Sequence, residues 1–141
     1  MEPNADAPAA ATDGPQGQLT LQTAAFPADA NASGDIFGGW VVGQMDIAAG
    51  ITAALRAQGR VATVAINAMR FHAPVLVGDL FTCYTGIRKT GTTSITIQVE
   101  AWVRRLRTGE HLRVTEAEFT FVAIAESGIK RPLPPEGMPG V

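Results

Sequence analysis

Apolar and polar positions alternate along Ser94 to Val103, with Ile95, Ile97, Val99, Ala101 and Val103 on one side and Ser94, Thr96, Gln98 and Glu100 on the other. A period of two is the signature of a strand with one face on a core. Weaker versions of the same pattern run from Leu19 to Phe26, from Leu80 to Arg88 and from Leu112 to Ile124. Val61 to Met69, continued by Arg70-Phe-His-Ala-Pro74, is short-branched and apolar on both sides, which predicts a strand buried on both faces. Turn residues separate these runs at Val77-Gly-Asp79, Lys89-Thr-Gly-Thr92 and Thr108-Gly109, while Pro27 to Gly34 reads as a loop.

One stretch breaks the alternation. From the glycine pair Gly38-Gly39 and Trp40 to Leu55, good helix formers dominate, no proline interrupts, and Gln58-Gly59 supplies a stop. Val41, Met45, Ala48 and Leu55 fall on one face, and Trp40, Ile47, Ile51 and Ala54 on the opposite side. A helix apolar nearly all round has to be surrounded by protein or lipid. Gln44 and Asp46 break the run far below spanning length, so the expectation is protein and no membrane insertion. One buried helix followed by antiparallel strands on short connections is an α+β pattern, a sheet curled around a single helix. A sheet of this size leaves an edge and a face uncovered, which favours self-association.

Composition narrows the field. The 141 residues hold one domain, expected over residues 18–125, between a disordered tail at 1–17 and a Pro/Gly-rich tail at 126–141. A net charge of −2 argues against a general nucleic-acid binder. A single cysteine, Cys83, permits no internal disulfide and reads as a small buried hydrophobe in a strand. The N-terminal residues lack a basic and an apolar region of the secretory kind, so the expected location is cytoplasmic.

Asp46 is the residue that needs a reason. A carboxylate taken out of water without a partner costs at least several kcal/mol. It stands on an otherwise apolar helix whose Gly38-Gly39 start gathers free N–H groups and the positive end of the helix dipole. Residue chemistry alone leaves two readings open: a reacting carboxylate, or one that caps or pairs with a neighbouring element. His72 and His111 lack the cysteine, serine or ligand spacing of a triad or zinc site, and are expected exposed or satisfied in the core. No metal site is expected.

Asn31-Ala-Ser-Gly-Asp-Ile-Phe-Gly-Gly-Trp40, followed by Gln44-Met-Asp46, resembles the hotdog-fold acyl-CoA thioesterases, and among them the short bacterial YciA-type acyl-CoA hydrolases. Gly59-Arg-Val-Ala-Thr-Val64, Pro74-Val-Leu-Val-Gly-Asp79 and Thr92-Thr-Ser94 extend the resemblance, which runs from about Leu19 to Ile124. It implies a long helix wrapped by an antiparallel sheet, homodimers that assemble further into hexamers as trimers of dimers, and active sites at the dimer interface. It also implies hydrolysis of acyl-CoA to coenzyme A and a carboxylic acid, with no separate cofactor. The helix carboxylate of the resemblance maps onto Asp46, the loop asparagine onto Asn31, and the glycine pair onto Gly38 and Gly39. Ser33 and Arg70-Phe-His-Ala-Pro74 depart from the pattern.

On that reading, the Gly38 and Gly39 N–H groups polarise the thioester carbonyl. Asp46 activates water or attacks directly, and Asn31 orients water or carbonyl. From local chemistry alone, Asn31 serves equally as an Asx-turn residue. Arg60, Arg88 and Lys89, at element ends, are the expected contacts to the coenzyme A phosphates. Arg104-Arg105-Leu-Arg107 reads as a solvated strand end. Two alternatives stand beside hydrolysis. A non-catalytic acyl-CoA sensor would not need Asp46, and a same-fold hydratase normally relies on a helix histidine that this helix lacks.

Overall fold

The computed structural model describes residues 14–136. Strand β1 (Gln18–Ala24) leads through a 3₁₀ turn (Pro27–Asp29) into helix α1 (Gly38–Ala57), and strands β2 (Val61–Phe71), β3 (Leu80–Thr90), β4 (Ser94–Arg104) and β5 (His111–Ala123) follow. They form one five-stranded sheet in the order β1-β3-β4-β5-β2, and every pair is antiparallel. The expected α+β arrangement is therefore the observed one. The terminal residues 1–13 and 137–141, which hold most of the tail expected at 1–17, lie outside the described part.

The helix packs on the sheet because its inner face is small. Ala48, Ala49, Ala53 and Ala57 are fully buried there beside Val41 and Met45. They let the helix backbone come close to large residues of the sheet, among them Phe81, Ile95, Ile97, Val99, Val103 and Phe119, all fully buried. Each large side chain removed from water contributes about 1.5–3 kcal/mol. Trp40 closes one end, its ring meeting Phe81 edge-on with centroids 5.1 Å apart.

Two expectations are corrected. Leu55 does not share the buried face of Val41, Met45 and Ala48: it is 74 % exposed, in line with exposed Ile47 and Ile51. The sheet wraps one side of α1, as expected, and leaves Ile47, Ile51 and Leu55 on the other side exposed. Nor is β2 buried on both faces. It is an edge strand, with Val64 and Ile66 exposed. Its register shifts between Asn67 and Arg70, where Ala68 takes a left-handed φ of 57°. Such a bulge twists an edge and re-aims the residues beyond it. Both departures have one cause: an apolar stripe was assigned to a partner within the chain that the chain does not contain.

The helix ends at Gln58, whose left-handed backbone donates its N–H to Ala54 O. The Pro- and Gly-rich segment after β5 then crosses that end. Arg131 donates through Nη2 to Ala57 O at 2.8 Å, and Arg56 donates through Nη1 to Pro134 O at 2.8 Å. A cation on the last carbonyls complements the helix dipole. Gly59 leaves room for this seat: a Cβ there would lie 2.6 Å from Arg131 Nη2, so the arginine end would have to shift.

Candidate active site

The loop before α1 is built around Asn31. Its Oδ1 accepts the backbone N–H of Ser33 at 2.9 Å and of Asp35 at 3.1 Å, an Asx arrangement that tightens the turn. Both donors are backbone N–H groups, so the side-chain oxygen is fixed as the acceptor. The Nδ2 donor is left without a partner among the described residues. Gly34, with φ of 87°, gives its N–H to Asn31 O and takes the conformation that a side chain would resist. Ile36 N–H then bonds to Val75 O at 2.9 Å and Phe37 N–H to Asp29 O at 3.1 Å, pinning the helix start against the segment after β2.

No side chain caps α1. Trp40 and Val41 both donate to Phe37 O, so Gly38 and Gly39 hold the two helix N–H groups that remain uncommitted among the described residues. They carry the positive end of the helix dipole. A Cβ at Gly39 would meet nothing within 4 Å, and one at Gly38 only the Phe71 ring at 3.7 Å. The space over the helix start is thus open to a ligand. A cleft of about 450 Å³ lies here, lined by Asn31, Asp35, Gly38, Phe71, His72 and Pro74 among others.

Asp46 lies elsewhere. Eight positions after Gly38, it is about 12 Å farther along the helix axis. It does not line the cleft. It is half-buried rather than enclosed, and its Oδ1 accepts the Thr63 hydroxyl of edge strand β2 at 2.7 Å. One chain therefore brings Asn31 and Gly38 together and holds Asp46 apart, beside the uncovered strip of Ile47 and Ile51.

None of the three basic residues assigned to the coenzyme A phosphates lines this cleft. Arg60 lies within 4.0 Å of Glu126 and donates to Glu126 O at 3.1 Å; Arg88 pairs with Glu118 at 3.3 Å; Lys89 is exposed. Arg105 is not a solvated strand end, because its guanidinium is tucked against the buried Asp79 carboxylate and also donates to Pro74 O. Cys83 behaves as expected: burial pushes its thiol up to about 12, so it stays protonated and inert. His111 stacks on Trp102 with centroids 4.7 Å apart. Burial, and then the neighbouring Arg104 charge, lower its pKa from the usual histidine value.

His72 is a residue to which sequence reasoning gave no role in the site. Its side chain is 6 % exposed, and Nε2 meets Glu116 Oε2 at 2.7 Å. Its Nδ1 is buried with no partner among the described residues. The expectation of exposure fails, and satisfaction in the core holds for one nitrogen only. The signal available in sequence was its place just before Ala73-Pro74, where the strand must leave the sheet and turn toward the helix start. Among the described residues, no group of three or more His, Cys, Asp or Glu could hold a metal ion.

A five-stranded antiparallel sheet, one long helix and an open Gly-Gly helix start define a class. Residues 33–123 match the model of the Thioesterase superfamily, and the chain belongs to that family, with the hotdog fold. The acyl-CoA thioester hydrolase YciA of Salmonella typhimurium is 50 % identical over 126 residues, which cover 87 % of this chain and 95 % of that protein. Among solved structures, the hexameric thioesterase y2039 from Yersinia pestis is 52 % identical with a TM-score of 0.83, covering 86 % of this chain and 98 % of that one. HI0827, a hexameric broad specificity acyl-coenzyme A thioesterase, is 46 % identical with a TM-score of 0.83, covering 88 % and 86 %.

Proposed function

We propose that this protein is an acyl-CoA thioester hydrolase whose sites are completed by a second copy of the chain. Membership of the thioesterase family and similarity over nearly the whole chain to acyl-CoA hydrolases support the reaction class. The observation that carries the site assignment is the division within one chain: an uncommitted helix start with Asn31 in one place, and the Asp46 carboxylate in another, beside an uncovered apolar strip. A two-fold partner on that strip brings its own helix carboxylate, and the same operation builds an identical second site. Hexameric relatives support assembly beyond the dimer, as a trimer of dimers.

In the proposed reaction, the thioester carbonyl lies over the helix start, where the Gly38 and Gly39 N–H groups meet the oxygen as negative charge develops. Asp46 of the other chain takes a proton from water, or attacks to give a mixed anhydride that water then opens. Thr63 holds the carboxylate by its Oδ1 and leaves the other oxygen for the reaction. Asn31, fixed through its own Oδ1, offers Nδ2 to the bound substrate. The reaction needs no added cofactor. A cytoplasmic location fits a chain whose single cysteine is buried and whose described helix is not long and apolar enough to cross a membrane. Arg60, Arg88 and Lys89, all exposed, remain the assigned contacts to the coenzyme A phosphates, since exposed pairs such as Arg60 with Glu126 exchange readily for a phosphate.

The test is release of free thiol from a panel of acyl-CoAs by wild type and by Asp46→Asn, which is nearly isosteric. The expected result is a folded variant that has lost about 10²-fold or more of its turnover. A folded variant with near-normal turnover would remove Asp46 from the chemistry.

A further inference from the structure

We propose that His72 and Asn31 recognise a secondary amide in the arm of the thioester substrate, one side chain on each side of it. The proposal rests on the acyl-CoA reading above and adds a specificity contact to the cleft at the helix start. Two complementary groups are left over there. Asn31 spends its Oδ1 on the Ser33 and Asp35 N–H groups, so it has only the Nδ2 donor to give. His72 spends Nε2 on Glu116 at 2.7 Å. An ionised carboxylate only accepts, so Nε2 bears a proton, and in the neutral imidazole Nδ1 is then the acceptor.

The second carboxylate partner supports that assignment. Arg113 Nε stands 3.5 Å from the same Glu116 oxygen, at ion-pair distance but without hydrogen-bond alignment, and keeps positive charge beside the carboxylate. The imidazole is therefore oriented and its tautomer set from behind. Its Nδ1 is closed to bulk water and without a partner, a costly condition in a folded protein unless something in the working state completes it. His72 and Asn31 line the same cleft, from the end of β2 and from the loop before α1.

One donor and one acceptor on two walls match a secondary amide. The C=O and N–H of a trans amide point to opposite sides of the chain that carries them. An arm threading between the loop and the end of β2 gives its C=O to Asn31 Nδ2 and its N–H to His72 Nδ1. Coenzyme A carries secondary amides in the arm between its thiol and its phosphates, so the chemistry is present in the substrate class. The contact requires the arm to part the cleft walls, because Nδ1 is closed to water in the single chain.

The experiment compares one acyl group on three thiols: coenzyme A, N-acetylcysteamine, which keeps a secondary amide, and ethanethiol, which has none. His72→Phe should lose roughly 10-fold in kcat/KM on the two amide-bearing thioesters, mainly through KM, with no such loss on the ethanethiol ester. His72→Asn places an oxygen acceptor where Nδ1 stood and should recover most of the loss. Should the Phe variant not fold, His72→Leu removes the same acceptor with less bulk and should produce the same amide-selective loss. An equal loss on all three esters, or a loss on none, overturns the proposal. A wild type that releases no thiol from any of them overturns the hydrolase reading, and this contact with it.

Discussion

The two long sides of α1 share an apolar composition and differ in everything else. The inner side presents Val41, Met45, Ala48, Ala49, Ala53 and Ala57, all buried against strands of the same chain. The outer side presents Ile47, Ile51 and Leu55, all exposed, and edge strand β2 adds exposed Val64 and Ile66. An exposed apolar helix side of this kind is a candidate interaction surface. The inner side packs within the chain, and the outer side is where the proposed second chain would dock. Asp46 lies on the boundary between them, held by Thr63, where the proposed two-chain site would use it.

The comparison is broken most severely from the inner side. Phe119→Ala removes a fully buried ring from the sheet under the helix and should cost about 3–5 kcal/mol, measured by denaturant unfolding. On the outer side the same kind of disruption should behave differently. Ile51→Glu is a surface change in one chain, so the fold of the chain should shift by no more than about 0.5 kcal/mol. Sedimentation should nevertheless show smaller species than wild type, with activity lost in parallel. Ile51→Glu protein that sediments as wild type would place the interface elsewhere. At the boundary, Thr63→Val removes the hydroxyl that holds Asp46 and leaves assembly unchanged. Its effect should be the smallest: a loss of a neutral-to-charged hydrogen bond, up to about 10-fold in kcat.

What sequence reading recovered follows from the same division. Strong alternation in β4 and small residues on α1 are local signals that a single chain satisfies, and the elements appeared where the pattern put them. Periodicity also identified Ile47, Ile51 and Val64 as apolar positions needing cover, yet it could not say whose atoms would cover them. Hence the outer side of the helix was read as covered and β2 as buried, and the structure leaves Ile47, Ile51, Val64 and Ile66 exposed. The Gly38-Gly39 start and the Asn31 turn were legible because their chemistry is in the backbone and in short loops. His72 was not, because its partner Glu116 is 44 positions away and meets it only through the β2–β5 pairing.

The composite site is the central claim, and mixing two variants, each damaged in one half of the site, tests it most directly. Asn31→Ala and Asp46→Ala proteins are refolded together, and mixed dimers are verified by mass spectrometry. If each site takes Asn31 from one chain and Asp46 from the other, a mixed dimer carries one intact site and one doubly damaged site. Random pairing makes about half of the dimers mixed, so roughly a quarter of wild-type thiol release should return. No recovery, with mixed dimers present, would mean that both side chains serve the same site from a single chain.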